Sequence, residues 1–140
     1  MTAQLQVIDD IFNLENTMMS MEQLSLDVTH YFSKGVYARQ MFIPKGTVLT
    51  CKMHKHNHLN IMLYGDIEVA TQEGLKRIDK PCMFESKAGT KRAGFAYEDT
   101  VWITIHATKE TDLKKIEANE IVENPLQHLE YLRSKKLCLG

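Results

Sequence analysis

Covalent staples are scarce in this chain. It has three cysteines, Cys51, Cys82 and Cys138, an odd number with no CxxC spacing. That argues against a disulfide framework or a thiolate zinc site and fits reduced thiols in a cytosolic protein. Nothing marks any of the three as a catalytic nucleophile. Long apolar runs are missing too: none approaches the ~18 residues that a membrane-spanning helix needs. The opening residues MTAQLQVIDD carry neither the basic start nor the apolar stretch of a signal peptide, so a cytoplasmic location is expected. Charge of one sign is also lacking. Lys and Arg number 17 against 18 Asp and Glu, a formal charge of −1, which gives no electrostatic case for nucleic acid. No phosphate-gripping glycine loop, Ser-His-Asp order or paired-carboxylate arrangement is visible.

What the chain does have is 140 residues, 44% of them hydrophobic, enough for one globular domain with its own core. Three zones can be read. Residues 1–24 place Leu5, Ile8, Ile11, Phe12 and Leu14 at near-helical spacing, which predicts a short amphipathic helix or arm. Met18, Met19 and Met21 follow and read as gap-filling packing. Residues 25–109 read as short strands at 25–31, 36–43, 48–54 running on through the histidines to 64, 67–71, 75–78, 82–86, 92–96 and 100–107. Gly35, Pro44-Lys45-Gly46, Gly65-Asp66, Glu73-Gly74, Pro81, Ala88-Gly89 and Glu98-Asp99 punctuate them. Turn signals at every ~8–12 residues predict an all-β sandwich or barrel. Residues 110–140 return to helix: one helix over 112–121 with Leu113 and Ile116 buried, and another opened by Asn124-Pro125 with Gln127 completing a capping box.

The chemistry concentrates in Lys52-Met53-His54-Lys55-His56-Asn57-His58-Leu59-Asn60, where three of the six histidines fall within five residues. In an extended strand alternate side chains share a face. Lys52, His54, His56, His58 and Asn60 would then line one side, and neutral imidazoles so placed can grip one divalent ion. The competing reading is a polar face that meets water. Against it, Lys55 and Asn57 interrupt the supposed core face, as if the chain bends or enters a wet cavity there. A further imidazole stands in Val101-Trp102-Ile103-Thr104-Ile105-His106, where Trp102, Thr104 and His106 share a face. If that strand neighbours the histidine strand, His106 can complete a site.

Gly46, the pair His54/His56, Asn60 and Gly65 resemble the first motif of the cupin superfamily: a glycine, HxH, an acidic or amide residue and a later glycine. Lys87-Ala88-Gly89-Thr90-Lys91-Arg92, followed by Ala96, resembles the second, PxGxxH with a later asparagine. Together the motifs cover roughly residues 46–96. The departures are specific. Asn60 stands for the usual Glu, Lys87 for Pro, Arg92 for the third histidine ligand and Ala96 for the asparagine. A guanidinium has no lone pair to offer a metal, so His58 or His106 would have to compensate. The stretches 42–46, 58–61 and 89–94 are also similar to small cupin-like proteins of tailed bacteriophages, which implies a phage origin but no activity.

The resemblance implies a small jelly-roll or cupin-type β-barrel with helical extensions at both ends, and a homodimer or higher homo-oligomer. The candidate metal ligands are His54, His56, His58 and His106, with His54 pairing either His56 or His58. Zinc, iron, nickel or manganese is the candidate ion. Asn60, Arg92 and Lys52 are candidate contacts for a small anionic ligand, Arg92 by two parallel hydrogen bonds to a carboxylate or phosphate; a solvated basic turn is the competing reading of Lys91-Arg92. Two functions stay open: a histidine-lined pocket that binds a ligand or metal, and a metal-dependent isomerase, epimerase or dioxygenase using the same pocket. A structural or host-takeover role, in the virion or the host cytoplasm, is the third.

Overall fold

The computed structural model describes residues 3–123 together with Gln127 and Glu130. The helix expected to open at Asn124-Pro125, and Cys138, lie outside the described residues.

The first helix, α1 (Ala3–Met19), contains neither glycine nor proline and buries Ile8, Ile11 and Phe12 at helical spacing. Nine strands follow among the described residues: β1 (Asp27–Ser33), β2 (Val36–Ile43), β3 (Val48–Cys51), β4 (Met53–His54), β5 (His58–Thr71), β6 (Gly74–Ile78), β7 (Cys82–Ser86), β8 (Arg92–Ala107) and β9 (Ile121–Val122). A second helix, α2 (Leu113–Glu120), precedes β9 and is capped by Asp112, whose carboxylate accepts from the Lys114 and Lys115 amides. The fold is mainly β and antiparallel, as the turn spacing predicts, and of the jelly-roll type that the cupin resemblance implies.

Two long strands, β5 and β8, set the architecture. Sequence reading breaks each in two, at Gly65-Asp66 and at Glu98-Asp99, but both continue through. Their outer halves take different partners. Residues 100–107 of β8 pair with β2, and residues 58–62 of β5 pair with β7. Residues 92–95 of β8 pair with β3, and residues 67–71 of β5 pair with β6. The shared ladder loses register between Met62 and Ile67, where the sheet bends. Gly65 sits in that bend with φ +129°, and a Cβ there would lie 2.6 Å from the Thr100 Cα. Only glycine permits the approach. The bend lays one half of the sheet over the other.

The apolar core fills the space between the halves. Met41, Ile43, Met62 and Trp102 come from one side, Leu49, Ile67, Val69 and Ala96 from the other. A smaller cluster forms where Ile8 and Phe12 of α1 meet Met53 and Val122. Lys91 is sealed beside it, 1% exposed. Its Nζ donates to Glu15 Oε2 at 2.8 Å and to the Cys51 carbonyl at 2.7 Å, over the Phe12 ring. The reading of Lys91-Arg92 as a solvated basic turn is therefore corrected: both side chains are buried.

Two smaller expectations also change. Met19 and Met21 are 71% and 63% exposed rather than gap-filling. Leu14 and Leu113 are exposed, because their helices bury only Ile8, Ile11, Phe12 and Ile116. Tyr64 and Tyr97 stay at the surface, Tyr97 under the Arg77 guanidinium, while Trp102 is buried in the core.

Candidate functional site

The chain leaves extended conformation between β4 and β5. Residues 55–57 form a bend, tied down on both sides. The Lys55 amide donates to the Glu120 carbonyl at 2.6 Å, and Asn57 Oδ1 accepts from the Ala88 amide at 2.7 Å. Gly89, in the second motif's turn, donates its amide to the His54 carbonyl at 2.9 Å. This bend changes which histidines share a direction. His54 and His58 turn inward, and His106 meets them because β8 runs beside β5 in the register Leu59↔Ile105. One candidate ligand atom from each of these three rings lies within 4.8 Å of the others. Ring centroids stand 4.0 Å apart for His54–His58, 4.8 Å for His54–His106 and 5.1 Å for His58–His106.

His56 does not join them. Its ring points out, 64% exposed, and its Nδ1 lies 2.9 Å from Glu120 Oε2. The alternation that assigns it to the cluster requires an unbroken strand, and the bend removes that condition. The inward pair is His54 and His58.

The protonation state of the three rings suits metal ligation. Burial pushes the His54 imidazole down to about 2, and the neighbouring His58 and His106 rings add to the shift. Burial also lowers His58, to about 4, and His106 in the same direction. All three are therefore neutral near pH 7, with lone pairs available. His54 Nδ1 is buried without a hydrogen-bond partner. Such an orphaned nitrogen is costly, and a metal ion would satisfy it. The residues present fit a three-imidazole metal site.

The cluster lines a cavity of about 500 Å³ between the sheet and α2, within the usual range for small-molecule sites. β4 and β9 hold the helix there through Met53↔Val122 and His54↔Ile121. Asn60, Arg92 and Lys52 all reach this cavity, in different conditions. Asn60 is fully buried, and both ends of its amide are occupied: Oδ1 accepts from Trp102 Nε1 at 3.1 Å and Nδ2 donates to Ser86 Oγ at 2.7 Å. Arg92 is also buried and donates from Nη2 to the same Ser86 oxygen at 2.7 Å. Lys52 lies at the rim, largely exposed and paired with Glu117.

Sequence reasoning missed Arg39, Tyr37, His30 and Glu120, which also line the cavity. Alternation within β2 could have paired Tyr37 and Arg39 with the inward face. His30 Nδ1 lies 2.7 Å from the Tyr37 hydroxyl across the β1–β2 ladder. Glu120 gave no signal, since only the β4–β9 pairing brings it to the histidines.

No protein-family model matches the sequence, and no curated protein does. Solved structures do. KdgF from Halomonas sp. matches with a TM-score of 0.53 at 16% identity, over 65% of this chain and 86% of its own. Ectoine synthase from P. lautus matches at 0.52 and 13%, over 61% and 65%. An RmlC-like cupin from Shewanella frigidimarina matches at 0.51 and 13%, over 61% and 80%. At such identities the likeness speaks to architecture alone, and the architecture it shows is the antiparallel cupin fold.

Proposed function

We propose that His54, His58 and His106 hold one divalent metal ion, and that the cavity they line binds a small molecule beside it. The observation that carries this reading is the convergence of three neutral, buried imidazoles, one with an unpartnered nitrogen. Three nitrogen donors suit zinc, iron or nickel and leave coordination positions open, where such an ion acts as a Lewis acid or activates water. The protein's own part is positioning: β4, β5 and β8 each supply one ring, and α2 covers the cavity.

One observation favours a second reading, in which the bound molecule is also converted. Glu120 lines the cavity, and its charge raises the proton affinity of both His58 and His106. A carboxylate so placed, its other contact being His56, can serve as proton acceptor on this side of the cavity. The phage resemblance adds a proposed setting, the host cytoplasm or the particle, which mass spectrometry of purified virions distinguishes by the protein's presence at fixed stoichiometry.

The test is metal content and thermal stability of protein purified without a histidine tag. Zinc, iron, nickel or manganese should bind at one ion per chain and raise the melting temperature. His54→Ala, His58→Ala and His106→Ala should each weaken uptake by about a hundredfold or more, while His56→Ala stays close to wild type. No bound ion and no thermal shift with any of the four metals would overturn the reading, as would a His56→Ala loss equal to the others.

A further inference from the structure

Two guanidinium groups line the cavity, and among the described residues no carboxylate pairs with either. Arg92 is 9% exposed, and its Nε is buried with no partner. Among the described residues, Arg39 has only a long contact to the Met41 sulfur, 3.9 Å. Of the two acidic side chains that reach the cavity from α2, Glu117 is paired with Lys52, and Glu120 lies against His56 and the histidine cluster rather than against either guanidinium.

Taking a guanidinium out of water without a counter-charge costs several kcal/mol. The Trp102 and Phe84 rings, 5.4 and 5.7 Å from the Arg92 Cζ, offset part of that. The Ser86 hydroxyl satisfies one donor. What remains is a fixed positive charge held at the wall of a cavity. Neutral imidazoles add nothing to balance it, and an ion among them would deepen the excess. The shape of the donors narrows the choice of anion. A planar guanidinium matches a carboxylate through two parallel hydrogen bonds. The same fork matches a phosphate, but phosphate sites commonly add glycine-loop amides, and no glycine lines this cavity. The remaining wall includes Leu26, Met41, Leu49 and Trp102, which suits an apolar body.

We propose that the cavity's ligand is a small organic carboxylate with an apolar body, its carboxylate anchored by Arg92 with support from Arg39. For its second anchor, the ion, this rests on the metal reading given above; for Arg92 it stands alone.

Trp102 is the chain's one tryptophan and lines the cavity, so its fluorescence reports occupancy. Zinc-loaded protein is titrated with benzoate, hexanoate, the uncharged isostere benzamide and inorganic phosphate. The carboxylates should bind with dissociation constants of about 1 mM or tighter, and benzamide and phosphate more weakly by about tenfold or more. Arg92→Met should weaken benzoate about tenfold to a hundredfold while zinc affinity stays near wild type. Arg92→Lys, which keeps the charge without the fork and guards against a misfolded variant, should fall between, and Arg39→Met should give a smaller loss. Equal binding of benzoate and benzamide overturns the proposal. So does tighter binding of phosphate, unchanged benzoate affinity in both Arg92 variants, or no carboxylate binding. If zinc does not bind but benzoate binding still depends on Arg92, the metal reading alone fails. If zinc binds and benzoate does not, the carboxylate alone fails.

Discussion

Two rows of side chains cross the inner face of one half of the sheet, four residues apart along the strands they share. One row is Val28, Met41, Trp102, Met62 and Cys82, aligned by register through β1, β2, β8, β5 and β7. The other is Tyr37, His106, His58 and Ser86 on β2, β8, β5 and β7. Between them lies a mixed row of Arg39, Thr104, Asn60 and Phe84. The backbone ladder is the same throughout, and the pleat repeats every two residues. Only the side chains change, from an apolar row that packs into the core, with Met41 and Trp102 also reaching the cavity wall, to a row with two histidines that faces the cavity. Stability and chemistry are thus separated by one and a half nanometres of strand at most, on the order of four residue rises, and the buried chain Trp102–Asn60–Ser86–Arg92 ties them together.

The separation predicts opposite phenotypes. Trp102→Ala, in the apolar row, removes a large buried ring and leaves Asn60 Oδ1 without its donor. It should cost about 3–5 kcal/mol of stability in denaturant unfolding. His106→Ala, in the histidine row, should cost the metal-free protein less than about 1 kcal/mol while removing its metal uptake. Equal stability losses for the two would break the comparison, because the histidine row would then be core.

Both rows depend on the bend that brings the second half of the sheet over them. Gly65→Ala forces a Cβ against Thr100 in a backbone conformation that side chains rarely adopt. Strain and overpacking together should cost about 2–3 kcal/mol by thermal or urea unfolding. A near-neutral Gly65→Ala would show that the bend relaxes without harm to either row.

Much of this was legible in the sequence, for a physical reason. Where turn residues do end a ladder they mark its limits, and those of β2 and β7 follow from Gly35, Pro44, Pro81 and Ala88-Gly89. His106 was legible as a partner because Trp102, Thr104 and His106 alternate within an unbroken strand. The outward turn of His56 was not. The bend over residues 55–57 is enforced by contacts from Glu120 and from residues 88 and 89, far away in sequence. Likewise, Gly65 looks like a turn glycine, yet it serves a bend within one continuous strand. Arg92 was read as a lost ligand; its burial against Trp102, Phe84 and Ser86 is tertiary information.

Acid should separate the rows without mutation. His54 and His58 have folded values of about 2 and about 4, both below the ~6.5 of an unfolded imidazole. Above pH ~6.5 neither folded nor unfolded chains bind these protons, and their contribution to stability is fully present. Below it the unfolded chain takes up protons that the folded one refuses, so stability falls with pH, by about 1.5 kcal/mol for the pair at pH 6. The loss continues down to about 4 for His58 and further for His54. Thermal unfolding of metal-free wild type and of a His54→Asn/His58→Asn variant, from pH 7.5 to 5.5, measures it. A flat wild-type profile would mean that these rings are solvated and titrate normally.

The smallest effect belongs to the rim. Lys52 shares the inward face with the histidines in a strict alternation, and it does reach the cavity. Yet its ammonium is largely exposed and faces Glu117 of α2, a pair of the kind that contributes little because water screens it and two long side chains lose freedom to hold it. Lys52→Ala should change stability by less than about 0.5 kcal/mol and leave both metal and benzoate affinities within about twofold. A tenfold loss of benzoate would move the anion's anchor from Arg92 outward to the cavity mouth. The charge that matters would then be the hydrated one, and the buried guanidinium would be a packing residue tied to Ser86 and Trp102.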